Sequence, residues 1–387
     1  MVLAVRRGHS LRKAALRFGV SLATVQLWVT RAKGMRLDRV DFADRPLGAR
    51  RPVNRVPPKT ERRVLAIRRQ LKDQSTLGEH GAKAIRQTLL ASPTKPCPSL
   101  RTIGRILLRH GLLDGRRRVR RPPPAKGWFL PEVAAGQAEI DSFDTVTDLS
   151  LKSKTAGTQV TVLNAISLHG GLAQSWPESK ITAKIVVQSL LAHWGRFGLP
   201  AYAKFDNDLI FQGAHQWPNS FGRVIRLCLQ LGVVPVFAPP REQGFQAEIE
   251  AFNGRWQRLV WRRYYHRNLA HLQKRSDDFI AALLARSAAR IEAAPPRRAM
   301  PEGFAFHLNV PLSGCVIYLR RTDQDGRVNC LGQRWKADRN WVHRLTRVEV
   351  DLSAGKVRIY ALRRKEPASQ RLLNTLAYSV PRKNFIE

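Results

Sequence analysis

Acids are scarce in this chain, so the few that sit at element ends stand out. Lys and Arg number 67 against 29 Asp and Glu, a formal net charge of +38. Three carboxylates draw the eye: Asp141 in Ala138-Glu-Ile-Asp-Ser-Phe143, Asp206 in Lys204-Phe-Asp-Asn-Asp208, and Glu250 in Gln246-Ala-Glu-Ile-Glu-Ala-Phe-Asn253. Phosphodiester chemistry needs a polarised phosphate and an activated water or hydroxyl on opposite sides of phosphorus. Two divalent ions about 4 Å apart supply both, and oxygen ligands on rigid elements hold them in place. Two strand ends and one helix carrying these acids would serve that purpose.

Each acid has a near neighbour, and periodicity separates the two. Asp144 lies three residues beyond Asp141, so on a strand it faces the opposite side; Asp141 is taken as the site residue. Asp208 falls in the turn after Asp206. On a helix Glu248 and Glu250 are about 200° apart and cannot share a face. Glu248 reads as solvated. Glu250 aligns with Asn253, Gly254 and Gln257, a polar stripe suited to meet DNA.

The elements that must position these acids follow from hydrophobic spacing. Ala138–Thr145 alternates as a strand, and Gln159–Leu168 and Gly171–Pro177 are two more. Thr182–Phe197 reads as an amphipathic helix, Ala201–Phe205 as a strand, Phe221–Leu231 as a helix and Val233–Ala238 as a strand. A long helix is predicted from Gln246 to Leu272 and another over Asp277–Ile291. This is an α/β core, residues 131–305, with an antiparallel start. β-rich runs in 306–387 predict a small C-terminal β-barrel.

The front of the chain reads as two all-α units. In residues 1–40, Ala14, Ala15 and Phe18 share a helical face, Gly19 supplies a turn, and Ser21 caps a second helix with Val25, Trp28 and Val29 inward. This is helix-turn-helix spacing, and it turns Thr24, Gln26 and Arg31 toward a major groove. Residues 59–114 predict a second, homeodomain-like reader whose Ser99-capped last helix presents Arg101, Thr102 and Arg105. Pro- and Arg-rich segments at 41–58 and 115–130 read as linkers.

Composition narrows the partners. A chain this basic, with a pI near 11.4, repels itself unless a polyanion screens it, and Lys and Arg gain affinity by releasing phosphate counterions. Double-stranded DNA is the expected partner. No run of 18 apolar residues occurs, so no membrane span is expected. The start lacks the pattern of a signal peptide. The four cysteines, Cys97, Cys228, Cys315 and Cys330, are scattered and form no zinc-spaced pair. They read as reduced thiols of a cytosolic protein.

The same residues carry a resemblance. Phe205-Asp-Asn-Asp-Leu-Ile-Phe211, Gly244-Phe-Gln-Ala-Glu-Ile-Glu-Ala-Phe-Asn253 and Ala138-Glu-Ile-Asp141 resemble the acidic segments of prokaryotic insertion-sequence transposases with a DDE integrase catalytic core, in the retroviral-integrase-like superfamily. Asp44-Arg-Pro46 and Arg51-Pro52 after the first reader resemble the front half of such enzymes. Asp208 stands where Gly is usual and Ala251 where Arg is. The segment Gln216-Trp-Pro-Asn219 reads as a loop insertion. The resemblance implies a ribonuclease H-like core in which Asp141, Asp206 and Glu250 ligate two Mg²⁺ or Mn²⁺ ions. It further implies water-driven nicking at element ends, then attack of the freed 3′ hydroxyl on target DNA. Arg255, Arg258, Arg262 and Arg263 would clamp phosphates. The helical units would recognise terminal inverted repeats, with the chain a homo-oligomer on DNA, cytoplasmic and nucleoid-associated. The alternative is a catalytically inactive DNA-binding regulator derived from a transposase.

Overall fold

The computed structural model describes residues 1–44, 56–92, 97–113, 126–151, 157–214, 219–242 and 244–379. Most of both predicted linkers, with Arg45, Pro46, Arg51 and Pro52, lies outside the described residues, as do Gln216, Trp217 and Pro218. The chain divides into two compact units, Met1–Arg62 and Arg63–Glu387.

The first unit holds α1 (Val2–Arg6), α2 (Leu11–Phe18) and α3 (Leu22–Ala32), the last two capped by serines. The Ser10 hydroxyl accepts the Lys13 N–H, and Ser21 accepts the Thr24 N–H at 3.1 Å. Gly19 ends α2 with φ +62°, a left-handed cap that costs a glycine little. Ala14, Ala15 and Val25 meet at the helix contact. Phe18, expected on that face, is instead 44% exposed, because the chain turns at Gly19 before its ring can be covered.

The second unit begins with α4 (Pro58–Gln74, mostly within it), α5 (Ala82–Leu90) and α6 (Leu100–Arg109). Val64, Ile67, Ile85, Leu89, Ile103, Ile106 and Leu107 are buried among these helices. Two arginines from later in the chain hold this helical group. Arg263 donates to the carbonyls of Asp73 and Ser75, and Arg286 pairs with Glu79 at 3.0 Å. Arg263 therefore caps the C-terminus of α4 rather than presenting itself to phosphate.

After the short α7 (Pro131–Ala134) comes a mixed α/β layer. Strands β1 (Ile140–Leu151), β2 (Thr158–Ser167) and β3 (Ala173–Glu178) run antiparallel. Helix α8 (Ala183–Phe197), capped by Thr182, leads to β4 (Tyr202–Phe205), which pairs parallel with β1. The short α9 (Leu209–Gln212) and α10 (Arg223–Gln230) then lead to β5 (Val234–Phe237), parallel to β4. Phe143, Leu163 and Ala165 pack against Val186, Leu190 and Trp194 of α8 and Val224 of α10 on one face. Val146, Val160 and Val162 pack on the other against α11 (Ala247–Trp256) and α12 (Leu269–Arg286).

The long helix expected from Gln246 to Leu272 is broken. It passes through a π-helical segment, Gln257–Trp261, and ends before Asn268 caps α12. Helix α13 (Ala288–Glu292) comes next. The C-terminal barrel also gives way to a different arrangement. Strand β6 (Cys315–Arg321) pairs parallel with β5, through Val236 opposite Ile317. Strands β7 (Arg327–Cys330) and β8 (Gln333–Lys336) make a separate hairpin. Strands β9 (Leu345–Asp351), β10 (Lys356–Ala361) and β11 (Leu372–Ala377) continue the sheet to nine strands, in the order β11-β10-β9-β6-β5-β4-β1-β2-β3. Ile317, Tyr318 and Leu319 are all buried, so β6 is a central strand with both faces covered, not the edge of a detached module. Among the described residues no helix is long and apolar enough to cross a membrane.

Candidate active site

Strand β1 carries two aspartates whose side chains part to opposite faces, as a period of two requires. Asp141 points to the α8 face and is fully buried. Arg297 grips it with two hydrogen bonds of 2.9 and 2.5 Å, Trp194 Nε1 donates at 3.2 Å, and His193 Nε2 lies at 3.4 Å. Burial alone would push this carboxyl up. Arg297 and the hydrogen bonds outweigh it and hold it well below the usual carboxylate range. The acid is saturated: its charge is cancelled and its oxygens are occupied by the protein itself.

Asp144 is on the other face, and there the charges gather differently. Its carboxyl is pushed up to about 6, first by burial and then by the negative charge of Asp206, with Glu250 adding to it. Asp206, just past β4, is pushed up by burial, while the Asp208 N–H at 2.9 Å pulls the other way. Glu250 is exposed on the first turn of α11. Among the described residues none of these three acids makes an ion pair. The structure thus brings Asp206 and Glu250 together with Asp144 and sends Asp141 elsewhere. Parity held the clue: Asp141 shares its side with the large Phe143, a residue that must be buried, whereas Asp144 shares its side with Ser142.

A row of polar side chains holds Asp144 in place. In the sheet register Asp144 faces Asn164, which faces Ser175. Ser175 donates to Asn164 Oδ1 at 2.5 Å, Asn164 Nδ2 to Asn253 Oδ1 at 2.8 Å, and Asn253 Nδ2 to Asp144 Oδ2 at 2.8 Å. Asn253 sits one helical turn after Glu250 and is buried, so it faces the sheet rather than DNA as expected. Sequence spacing placed it on the Glu250 stripe but could not show that the stripe tilts into the sheet.

Glu248 likewise is not simply solvated. It accepts from the buried Lys204 at 3.3 Å, and Lys204 also donates to the Phe245 carbonyl at 2.6 Å. Burial pushes the Lys204 ammonium down, against the pull of Glu248 and Glu250. This one lysine, reaching up from β4, ties the start of α11 to the sheet and so locates Glu250. Asp208, standing where glycine was expected, caps α9 by accepting the Ile210 N–H at 3.0 Å.

The other predicted contact residues divide by exposure. Gln26, Arg101, Arg105, Arg258 and Arg262 are exposed, and Gln257 and Arg255 are half-buried. Thr24 and Thr102 are half-buried, their hydroxyls 2.8 and 3.0 Å from the capping Ser21 and Ser99. Arg31 lies over the Trp28 ring at 4.7 Å.

Acid-rich oxygen donors without cationic partners fit hard divalent cations. Among the described residues, however, no three carboxylate, imidazole or thiol groups already stand close enough to enclose an ion.

No protein-family profile and no curated protein matches the chain. Among solved structures, it resembles a chain of the simian T-cell lymphotropic virus intasome in complex with a PP2A regulatory subunit, at 15% identity and a TM-score of 0.32, over 72% of this chain and 88% of that one. The magnesium-bound HTLV-2 integrase catalytic core is similar at 14% identity and a TM-score of 0.26, over 37% of this chain and 82% of that one. The BIV integrase catalytic core is similar at 15% identity and a TM-score of 0.26, covering 38% and 81%. Superpositions this loose decide neither fold nor activity.

Proposed function

We propose that the chain is a DNA transposase in which Asp144, Asp206 and Glu250 hold two Mg²⁺ or Mn²⁺ ions and catalyse strand cleavage and strand transfer. The observation that carries this reading is that three carboxylates, from β1, the end of β4 and α11, act on one another and make no ion pair among the described residues, in a chain of net charge +38. Where cations are this plentiful, three neighbouring acids without an ion pair fit a site for an ion from outside. Asp144 replaces Asp141 as the first acid, because Arg297 already occupies Asp141.

Once bound, the ions would polarise the scissile phosphate and activate the attacking water or 3′ hydroxyl. The chain's own work is positional. Asn253 and the Thr145 N–H hold the Asp144 carboxylate from two sides. The Asp208 N–H fixes Asp206, and Lys204 secures the turn that bears Glu250. Three antiparallel strands followed by two parallel ones, with helices on both faces, support the ribonuclease H-like reading. The exposed Gln26, Arg101, Arg105 and Arg258 would contact double-stranded DNA, α3 and α6 reading the element ends. Pairing of two ends would require a homo-oligomer.

The test is cleavage and strand transfer in Mn²⁺ on DNA carrying the ends that flank the reading frame. Joined products from the wild type, lost in Asp144→Asn and in Asp206→Asn, support the reading. One observation favours a second reading, the inactive DNA-binding regulator: the three acids do not already stand at ion-enclosing distance. It expects tight DNA binding with no cleavage even by the wild type.

A further inference from the structure

The C-terminal strands reach the candidate acids through one buried side chain. In an open α/β sheet, sites form beyond the carboxyl ends of the parallel strands. Asp206 stands at that edge, just past β4, and β6 runs parallel to β5 in the same sheet. The last two residues of β6 arrive at the same edge, and both are arginines. Arg321 pairs with Glu242 in the loop after β5. Arg320 is only 8% exposed. Its guanidinium donates to Asn207 Oδ1 at 2.9 Å and to the carbonyls of Ala238, Asn329 and Leu319 at 3.2, 3.2 and 2.9 Å.

Those four acceptors are neutral, and among the described residues no carboxylate pairs with Arg320. A buried guanidinium without a counter-charge lowers stability. What its bonds achieve is a join: they tie the first residue past β5 and a residue of β7 to the turn after β4. Asn207 is the centre of that join. Its Nδ2 donates to the Ala238 carbonyl at 2.7 Å while its Oδ1 accepts from Arg320. The neighbouring side chains bond locally, Asp206 accepting the Asp208 N–H and Asp208 the Ile210 N–H. Among the described residues, Asn207 is therefore the one side chain of this turn that bonds to another strand's end. Arg320 makes no bond to Asp206 itself, so it acts by geometry. A guanidinium is a planar fork with donors in fixed directions, whereas a lysine carries the same charge on one atom and cannot span these acceptors together.

We propose that Arg320 is a positioning residue for the reaction: through Asn207 it fixes the turn that bears Asp206, so that the C-terminal strands complete the active site as well as extend the sheet. This role rests on Asp144, Asp206 and Glu250 being the ion-holding acids.

The test follows Mn²⁺ binding to the full chain, without DNA, by isothermal titration calorimetry, beside urea denaturation. Arg320→Lys and Asn207→Ala should each weaken Mn²⁺ binding about tenfold, the scale for partners behind a metal ligand. The double variant should be no worse than the weaker single, because both cut one link. In Mn²⁺-dependent cleavage the same variants should lower kcat and leave the KM for DNA unchanged. Arg358→Met breaks the ion pair with Asp351 elsewhere in the C-terminal strands and should keep wild-type Mn²⁺ affinity whatever stability it loses. Asn207 is half-buried, so its variant decides the matter should Arg320→Lys fail to fold. Full Mn²⁺ affinity in Asn207→Ala or in a folded Arg320→Lys overturns the proposal, as does an equal loss in Arg358→Met. Mn²⁺ binding that is absent from the wild type, or that survives Asp206→Asn, sinks the reading of the acids themselves. Binding that depends on Asp206 but not on Arg320 and Asn207 sinks the positioning role alone.

Discussion

The two faces of β1 show one residue type put to opposite uses. On the α8 face Asp141 is sealed from water, gripped by Arg297 and held charged. On the α11 face, one turn of the pleat further on, Asp144 has other acids for neighbours, and its proton is held until about pH 6. The first arrangement completes a core. A carboxylate satisfied by the protein's own cation contributes to the fold and has nothing left to offer a ligand. The second arrangement destabilises the free protein by mutual repulsion, which a proton or a bound cation relieves. Burial alone does not mark an acid as functional; the identity of its counter-charge does.

The sharpest way to break this contrast is to neutralise each acid in turn. Asp144→Asn and Asp206→Asn should each lower Mn²⁺-dependent cleavage by about 1,000-fold, a loss of several kcal/mol of transition-state stabilisation, with the far-UV circular dichroism unchanged. Retained cleavage in Asp144→Asn would return the first acid to another residue. Breaking the Asp141 side should instead strike the fold. Arg297→Met leaves a buried uncompensated carboxylate and should cost about 3–5 kcal/mol in urea denaturation. A loss below about 1 kcal/mol, the scale of an exposed ion pair, would mean that Asp141 is not sealed as described.

A smaller effect is expected at the link between face and helix. Asn253→Ala removes a donor to Asp144 and an acceptor from Asn164, and should cost about 1–3 kcal/mol of stability. It should also move the Asp144 titration upward, since the hydrogen bond that favours the charged form is gone. A nuclear magnetic resonance titration of the Asp144 carboxyl that does not move would show the contact to be incidental.

The least of these effects lies in pH. Asp144 has a folded pKa raised above its unfolded value near 3.8. Its contribution to stability is therefore full below about pH 4 and is lost as pH rises through about 6. Metal-free Asp144→Asn should consequently gain stability relative to wild type at pH 8, by roughly 1–2 kcal/mol, and lose that advantage at pH 4. Mn²⁺ should raise the wild-type Tm at pH 8 and progressively less as pH falls through 6, because protons and ions compete for the same oxygens. An Mn²⁺ shift of equal size in Asp144→Asn would place the ion elsewhere.

Local order was legible from the residues alone. Ser21 and Ser99 cap the helices they were expected to cap, and the order of strands and helices in the core comes from hydrophobic period. Such signals act over one or two turns, so a single sequence displays them. Charge imbalance is a sum over residues and needs no structure at all. The chain's periodicity also established that Asp141 and Asp144 face opposite ways.

Tertiary structure decided which way. That choice depended on α8 bringing Trp194 and His193, and the chain bringing Arg297 from 156 residues away, to one side of the strand. It decided that Asn253 turns inward, since helix rotation is set by packing of Ile249 and Phe252 against the sheet. It decided too that β6 joins β5 and draws the C-terminal strands into the central sheet. Strand pairing is chosen between segments far apart in the chain, and the alternation within each strand satisfies a separate barrel and a continued sheet equally well.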